Sequence, residues 1–326
     1  MLVSFNQKID KYLIHFFGDS FYLLFFCICI HSKLIFMKKS LFLFVILFSF
    51  ACLFAQETKP FQFYTKKGKV VKFEKIVDDL ANYDIVLFGE HHNNSINHWL
   101  QLRLTQELYK KKNGQMTLGA EMFERDNQSQ LNDYLNGKLD AKLLKDSMRL
   151  WNNFTTDYKP LVDFAKDKKL KFIATNIPRR YASIVAKKGL DSLNTVTAKE
   201  KNWMMKLPVE VTLDTPGYSE MKEMMGDHAG PNAMNFVSAQ AVKDATMAES
   251  ILKNLENGKL FLHYHGDFHS KQYGGIYWYL KQSNPNLKIA VISVFESEDN
   301  ALPVPTEDYI PTEYNLVFPS DMTKTY

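Results

Sequence analysis

Short apolar segments alternate with segments of helical periodicity through most of this sequence, and the alternation limits the folds open to the chain. The apolar or β-rich runs lie at 85–88, 118–121, 172–175, 260–265 and 289–293, and the clearest helical patterns lie at 96–111 and 236–255. Strands separated by helices usually pair in parallel, and a parallel sheet needs helices on both of its faces. The pattern therefore predicts an α/β domain with a mostly parallel sheet covered on both faces.

The alternation of predicted strands and helices is interrupted at about residues 194–235. Prolines and glycines there separate short helical pieces that are rich in methionine. Because both residue types interrupt regular elements, we expect a helical insertion rather than a second domain. The predicted organisation is a single α/β domain over residues 56–326 that carries this insertion.

The first 55 residues have the pattern of an exported protein. Met37-Lys38-Lys39 precede an uncharged apolar run from Leu41 to Phe54, and small and polar residues follow. A positively charged n-region, an apolar h-region and small residues at the cleavage site are typical of a signal peptide. We therefore expect a signal peptide at 37–55, cleaved after Ala55, and an upstream gene-model extension at 1–36. The imperfect lipobox that ends at Cys52 leaves a lipid anchor as the alternative.

Charge and cysteine content exclude several classes of function for the predicted mature chain. The first 55 residues hold five of the 40 basic residues and two of the 36 acidic ones, which leaves 35 against 34. This balance gives no support to nucleic acid as a partner. All three cysteines, Cys27, Cys29 and Cys52, precede residue 56. The mature chain would therefore have no disulfide, thiolate metal site or cysteine nucleophile.

Six of the nine histidines fall in two clusters, and each cluster follows an apolar run. The first is Gly89-Glu90-His91-His92, with His98 nearby. The second contains His263 and His265 and ends in Gly266-Asp267-Phe268-His269, so that both have the form Gly-x-x-His. Ligands of open α/β sheets bind at strand ends, where imidazole and carboxylate can hold a metal, haem iron or a proton. Helix capping with solvated histidines is the structural alternative for the first cluster.

Two further elements follow predicted strands. Glu121 could be an inward-facing ligand or base and Arg125 a clamp for a carboxylate, with a surface salt bridge as the alternative. Pro178 suits a first helical turn, and Arg179 and Arg180 behind it suit an anion unless they are simply solvated. The sequence contains no Gly-x-Ser-x-Gly elbow, Walker loop, dinucleotide fingerprint or His-Glu-x-x-His helix. Serine hydrolases, NTPases and ordinary zincins are therefore poor interpretations.

Taken together and in order, these elements resemble the ChaN-like haem-binding uptake family of the Tiki superfamily, which is related to erythromycin esterases. The matching segments are IVLFGEHH, GAEMFER, ATNIPRRYASIVAKKGL, SAQAVKDATMAESI and LHYHGDFH, which span residues 85–269. The resemblance implies an exported, often lipid-anchored protein of the periplasm or outer membrane. It also implies a parallel α/β core that binds haem, a homodimer, and a role in iron acquisition.

The resemblance and the residues together give two competing sites. In the leading hypothesis the cleft binds haem, and the apolar segment from Met221 to Met234 covers the macrocycle. The iron ligands are then sought among His91, His92, His265 and His269, with His228 and Tyr181 in reserve, and the propionates face Arg125, Arg179 and Arg180. In the alternative, a metal-dependent hydrolase, Glu90, His92, Glu121 and His269 hold a divalent ion, and Glu90 or Glu121 activates its water. A non-catalytic carrier of another small ligand is a third interpretation.

Overall fold

The computed structural model of the chain describes residues 59–299, 301–304 and 312–326, without the side chains at 226–229 and 231. The predicted gene-model extension, the signal peptide and Cys52 lie outside the described residues, as does the side chain of His228. Residues 59–326 form one compact unit. None of the helices within the described ranges combines the length and the apolar character needed to cross a membrane.

A seven-stranded sheet lies at the centre of this unit. Its strands are β1 (Gln62–Thr65), β2 (Ile85–Glu90), β3 (Met116–Glu124), β4 (Phe172–Asn176), β5 (Leu260–Gly266), β6 (Ile289–Ser297) and β7 (Tyr314–Pro319). The spatial order is β1-β7-β6-β2-β5-β3-β4, and every neighbouring pair is parallel except β1 with β7. The predicted mostly parallel α/β fold is therefore confirmed.

The helices lie on both faces of this sheet. They are α1 (Phe73–Leu80), α2 (Ser95–Lys111), α3 (Gln128–Leu135), α4 (Ala141–Ser147), α5 (Lys159–Lys168), α6 (Arg179–Lys188), α7 (Ala198–Lys201), α8 (Tyr218–Ala229), α9 (Ala233–Asn254) and α10 (Gly275–Ser283). Alternation along β2 sends Val86 and Phe88 into the core with α1 to α5, and Ile85 and Leu87 into the core with α6, α9 and α10. Because both faces are apolar, the central strands are continuous hydrophobic runs.

The elements agree with the sequence pattern where the pattern is long and periodic. All five predicted strands are present, and the two strongest helical patterns correspond to α2 and α9. Strand β7 was not predicted. After β1 the chain makes a tight turn with an isolated bridge between Tyr64 and Val70, and β1 pairs with β7. Residues 194–235 contain short helical pieces, and their interpretation as an insertion stays a prediction.

The register of the sheet positions the two histidine clusters. Strand β2 lies beside β5 with Gly89 opposite His265 and Glu90 opposite Gly266, while β3 lies on the other side of β5. Because these strands are parallel, their carboxyl ends meet at one edge of the sheet. Glu90, Glu121 and Gly266 are thereby placed at the same edge.

Candidate functional site

The two Gly-x-x-His elements meet where His92 packs over Gly266. A Cβ atom added to Gly266 would lie 2.7 Å from His92 Cε1 and 3.6 Å from Glu121 Oε2. Gly266 has φ −55° and ψ 136°, which any residue can adopt. The glycine is therefore required by the close approach of the imidazole and not by the backbone conformation.

Glu90 is a buried carboxylate whose oxygens accept three hydrogen bonds. Tyr158 donates its hydroxyl at 2.7 Å, Gln101 its side-chain amide at 2.8 Å, and His92 its Nδ1–H at 2.9 Å. Burial opposes ionisation of Glu90, but the nearby His98 and the bond from His92 outweigh it and lower the pKa of this carboxyl. Glu90 is thus a fixed anion that orients the ring of His92.

The other ring nitrogen of His92 lies over Gly266, where an added Cβ atom would be 2.8 Å from Nε2. The His92 side chain is 36% exposed, and Nε2 has no hydrogen-bond partner among the residues that the structure describes. The ring meets Trp151 edge to face with 4.8 Å between centroids. Its backbone carbonyl accepts bonds from Asn153 Nδ2 at 2.8 Å and from His98 Nε2 at 3.0 Å. Burial lowers the pKa of His92, but the bond to Glu90 and the charge of Glu121 outweigh burial, so the pKa is raised.

His269 lies between two buried carboxylates. Its Nε2 is 3.1 Å from Glu121 Oε1, and its Nδ1 bonds to Asp244. Burial disfavours the imidazolium, but the charges of Glu121 and Asp244 outweigh it and raise the pKa of His269 to about 10. Burial likewise opposes ionisation of Glu121, yet His269 holds the pKa of that carboxyl well below its usual range. Both nitrogens of the imidazolium are therefore occupied.

Helix α9 supplies residues of this network that the sequence analysis missed. Gln240 Nε2 lies 2.9 Å from His269 Nδ1, and Tyr218 on the neighbouring α8 donates its hydroxyl to Asp244 Oδ2 at 2.7 Å. Burial raises the pKa of Asp244, and His269 only partly offsets it. Gln240 and Asp244 are one helical turn apart among alanines and valines. Two polar residues on a buried helix face are the signal that could have revealed them.

His263 and His265 form a separate, fully buried pair. Their Nδ1 atoms are 3.0 Å apart, His263 Nε2 is 2.7 Å from Thr175 Oγ1, and His265 Nε2 is 2.7 Å from Ser270 Oγ. Burial lowers the pKa of both imidazoles, that of His265 to about 3. Two neutral rings that satisfy each other and two hydroxyl groups account for this pair. The prediction that His265 binds a cofactor stays a prediction, and both of its ring nitrogens are occupied.

Two of the three arginines predicted to bind an anion are already paired within the protein, and the third is free of partners among the described residues. Arg125 donates to Ser250, Glu249 and the carbonyls of Met204 and Thr246. Arg180 pairs with Asp126 at 2.7 Å, and Tyr181 donates its hydroxyl to Glu200 at 2.8 Å. Arg179 is exposed, and its guanidinium has no partner within the described ranges.

Arg179 lines two cavities at the mouth of the site. One, of about 340 Å³, is formed with Leu150, Trp151, Asn152, Asn153 and Tyr326. The other, of about 270 Å³, is lined by Ala182, Ser183, Ala186, Met221, Met225, Phe236, Ala239, Gln240 and Lys243. Two of the methionines in the predicted covering segment thus face a cavity that also contains two cationic side chains.

The remaining predicted ligands do not assemble a metal cage. His91 Nδ1 is 3.3 Å from Glu296, and its ring packs edge to face on Phe318. No group of three or more His, Cys, Asp or Glu side chains within the described residues is arranged to hold a metal ion. Glu90, His92, Glu121 and His269 lie near one another as two carboxylate–imidazole pairs, and their role as metal ligands stays a prediction.

Several known proteins are similar to this chain in fold or in sequence. ChaN of Campylobacter jejuni, in a structure described as cofacial heme binding, superposes with a TM-score of 0.59 and 18% identity over 81% of this chain and 98% of that chain. A mutant of an erythromycin esterase gives a TM-score of 0.41 and 13% identity over 79% of this chain and 83% of that chain. The chloroplastic RETICULATA-RELATED 5 of Arabidopsis thaliana is 24% identical over 200 residues. That match takes in 57% of this chain and only 26% of the plant protein, so the chain spans about a quarter of its relative's length.

The sequence profile of one family extends over most of the fold. The profile described as haem-binding uptake, Tiki superfamily, ChaN matches residues 76–280, from α1 to α10, and includes both histidine clusters. Because the match covers more than half of the chain, this protein belongs to the ChaN-like haem-binding uptake family of the Tiki superfamily.

Proposed function

We propose that this chain binds haem at the junction of the two histidine clusters, with His92 as an iron ligand. The observation that carries the proposal is the His92 ring, which is partly exposed and whose Nδ1–H is held by the buried Glu90 at 2.9 Å. A carboxylate on one nitrogen fixes the tautomer and raises the basicity of the other. His92 Nε2 is therefore prepared to donate an electron pair to a metal centre.

The other imidazoles are less available for ligation. His269 is an imidazolium between Glu121 and Asp244, and a protonated ring offers no lone pair. His263 and His265 are fully buried and hydrogen-bonded at both nitrogens. His91 remains a candidate, although its Nδ1 lies near Glu296 and burial lowers the pKa of its ring.

The cavities around Arg179 fit the rest of a porphyrin. Met221, Met225 and Phe236 provide an apolar, adaptable wall, and the exposed Arg179 and the Lys243 ammonium provide cations for propionates. Arg179 lies in both cavities, so a planar ligand beside Trp151 could reach the methionine wall. When bound, haem would supply a redox-active iron, while the protein would hold the macrocycle and its carboxylates.

Family membership supports a role in haem uptake or handling by an exported protein. The related ChaN of Campylobacter jejuni binds heme cofacially, which is consistent with the homodimer that we propose here. Location in the periplasm or at the outer membrane, and a lipid at Cys52, are further parts of the proposal. They rest on the sequence pattern of residues outside the described structure.

A haemin titration of the full chain tests the proposal. Wild-type protein should give a saturable Soret band, and His92→Ala should bind more weakly and with a shifted band because the ligand is lost. His91→Ala is the matched control, since it removes an equally exposed neighbouring imidazole and should retain the wild-type spectrum. A wild-type chain without saturable binding would contradict the proposal, and a spectrum changed only by His91→Ala would move the ligand to His91.

A hydrolase is the second candidate, and the Glu90–His92 pair favours it. A carboxylate that orients an imidazole with a free Nε2 is also the arrangement of a general base. The metal-dependent form of this hypothesis is weaker, because Glu121 and His269 already neutralise each other. Ester hydrolysis that disappears in both His92→Ala and Glu90→Gln, in a chain that does not bind haemin, would establish this function instead.

A further inference from the structure

The segment 322–326 crosses the strand ends beside the first histidine cluster. Lys324 forms an antiparallel bridge with Asn94, and the amide of Thr325 donates to the carbonyl of Asn93 at 2.9 Å. Lys324 also pairs with Glu296, which contacts His91. The segment is thus fixed directly to the loop that carries His91 and His92.

A side-chain contact ties the same segment to the residues that hold His92. The Thr325 hydroxyl donates to Asp157 Oδ2 at 2.7 Å, and Asn153 Nδ2 donates to the same oxygen at 2.6 Å. Asn153 also bonds the carbonyl of His92 at 2.8 Å. Asp157 is only 4% exposed, so the segment is attached to a buried and well-defined group.

Tyr326, at the end of this segment, faces the cavity of about 340 Å³ that Trp151 and Arg179 also line. The Tyr326 side chain is 62% exposed and packs on no other aromatic ring within the described residues. Trp151 in turn contacts the ring of His92. The cavity beside His92 therefore has two aromatic walls and a free guanidinium, which suits a flat apolar ligand that carries carboxylates.

We infer that Tyr326, held in place by Thr325 on Asp157, is the second aromatic wall of the ligand site and stacks on the porphyrin opposite Trp151. The inference rests on the proposed haem site and adds a residue and a segment to it. A ring that stacks should matter equally for a porphyrin with iron and for one without it.

The test compares haemin with metal-free protoporphyrin IX, each titrated into full-length variants. Tyr326→Ala should weaken both ligands about three- to tenfold, the range expected for one aromatic contact. Tyr326→Phe should bind both like wild type, because it keeps the ring. Thr325→Val should weaken both ligands to a smaller extent, because it releases the segment from Asp157. Leu143→Ala is the control, since Leu143 is 49% exposed and lines neither cavity.

Each contrary outcome overturns a definite part of the inference. If wild type binds haemin and Tyr326→Ala binds equally well, Tyr326 is no wall of the site. If Tyr326→Ala or Tyr326→Phe weakens haemin alone, the hydroxyl acts on the iron and the stacking role is wrong. If wild type binds neither porphyrin, the proposed haem function fails together with the inference. Since Tyr326 is exposed, far-ultraviolet circular dichroism should show every Tyr326 variant folded like wild type.

Discussion

Replacement of Glu121 by glutamine would test whether the buried carboxylate–imidazolium network stabilises the fold. The variant keeps an oxygen for the backbone amide of Gly266, which bonds Glu121 Oε2 at 2.8 Å. It removes the negative charge 3.1 Å from His269 Nε2. The perturbation therefore changes one charge at nearly constant volume.

The magnitude follows from the pKa of His269, which is raised to about 10. From an ordinary value near 6.5, this shift corresponds to at most about 5 kcal/mol of stabilisation of the folded state. Removal of one partner from a buried pair costs roughly 3–5 kcal/mol. Because Asp244 still contacts His269 Nδ1, we expect Glu121→Gln to lower the free energy of unfolding by about 2–3 kcal/mol at pH 7.

The same network fixes the sign of the pH dependence. A histidine whose pKa is raised by folding contributes fully below its unfolded pKa, near 6.5, and loses that contribution as pH rises towards about 10. Glu121 acts oppositely, because its lowered pKa adds stability that disappears as pH falls below about 4.5. Wild type should therefore lose stability between pH 7 and pH 10, and Glu121→Gln should lose less over that interval.

Urea denaturation followed by circular dichroism at pH 7 and pH 10 measures both effects. Glu107→Gln serves as the control, because Glu107 belongs to surface pairs with Arg103 and Lys110 and should change stability by less than about 1 kcal/mol. A Glu121→Gln variant as stable as wild type at pH 7 would refute the reasoning. Wild-type stability that rises from pH 7 to pH 10 would refute it as well.

Two further predictions concern the proposed ligand site. Gly266→Ala should lower the free energy of unfolding by about 1–3 kcal/mol and weaken haemin binding, because the new methyl group displaces His92 from Glu90. An unchanged haemin affinity in titrations would contradict the packing seen at Gly266. Arg179→Ala and Lys243→Ala should each weaken haemin binding and reduce its salt dependence, whereas the control Lys142→Ala on α4 should change neither. Haemin titrations at two salt concentrations measure this. An equal change of affinity with salt in all variants and wild type would exclude propionate contacts.

The sequence was sufficient to predict what depends on local pattern. Apolar runs followed by glycine predict buried strands whose ends hold polar groups, and Glu90, His92, Glu121 and His269 do meet at such an edge. The parallel pairing of β2 with β5 brings the two clusters together. Alternation of strands and helices predicts the parallel direction, but not which strands are neighbours.

The partners of these residues could not be predicted, because they come from distant segments brought close by packing alone. Asp244 reaches His269 from α9, and Tyr218 on α8 bonds Asp244. The polar residues on the buried face of α9 mark Asp244 as unusual, but nothing in the local sequence identifies His269 as its partner. Arg125 follows β3 as predicted, yet its guanidinium satisfies the carbonyls of Met204 and Thr246 instead of facing the cleft. The direction of a side chain after a strand end depends on the tertiary contacts available there.

The central claim is that the iron of bound haem is coordinated by His92. Pulsed electron paramagnetic resonance of the ferric haemin complex measures this most directly, because a coordinated imidazole gives characteristic nitrogen couplings. We predict imidazole couplings in wild type and in His91→Ala that are absent in His92→Ala. Identical couplings in His92→Ala and wild type, or no imidazole coupling in wild type, would contradict the claim.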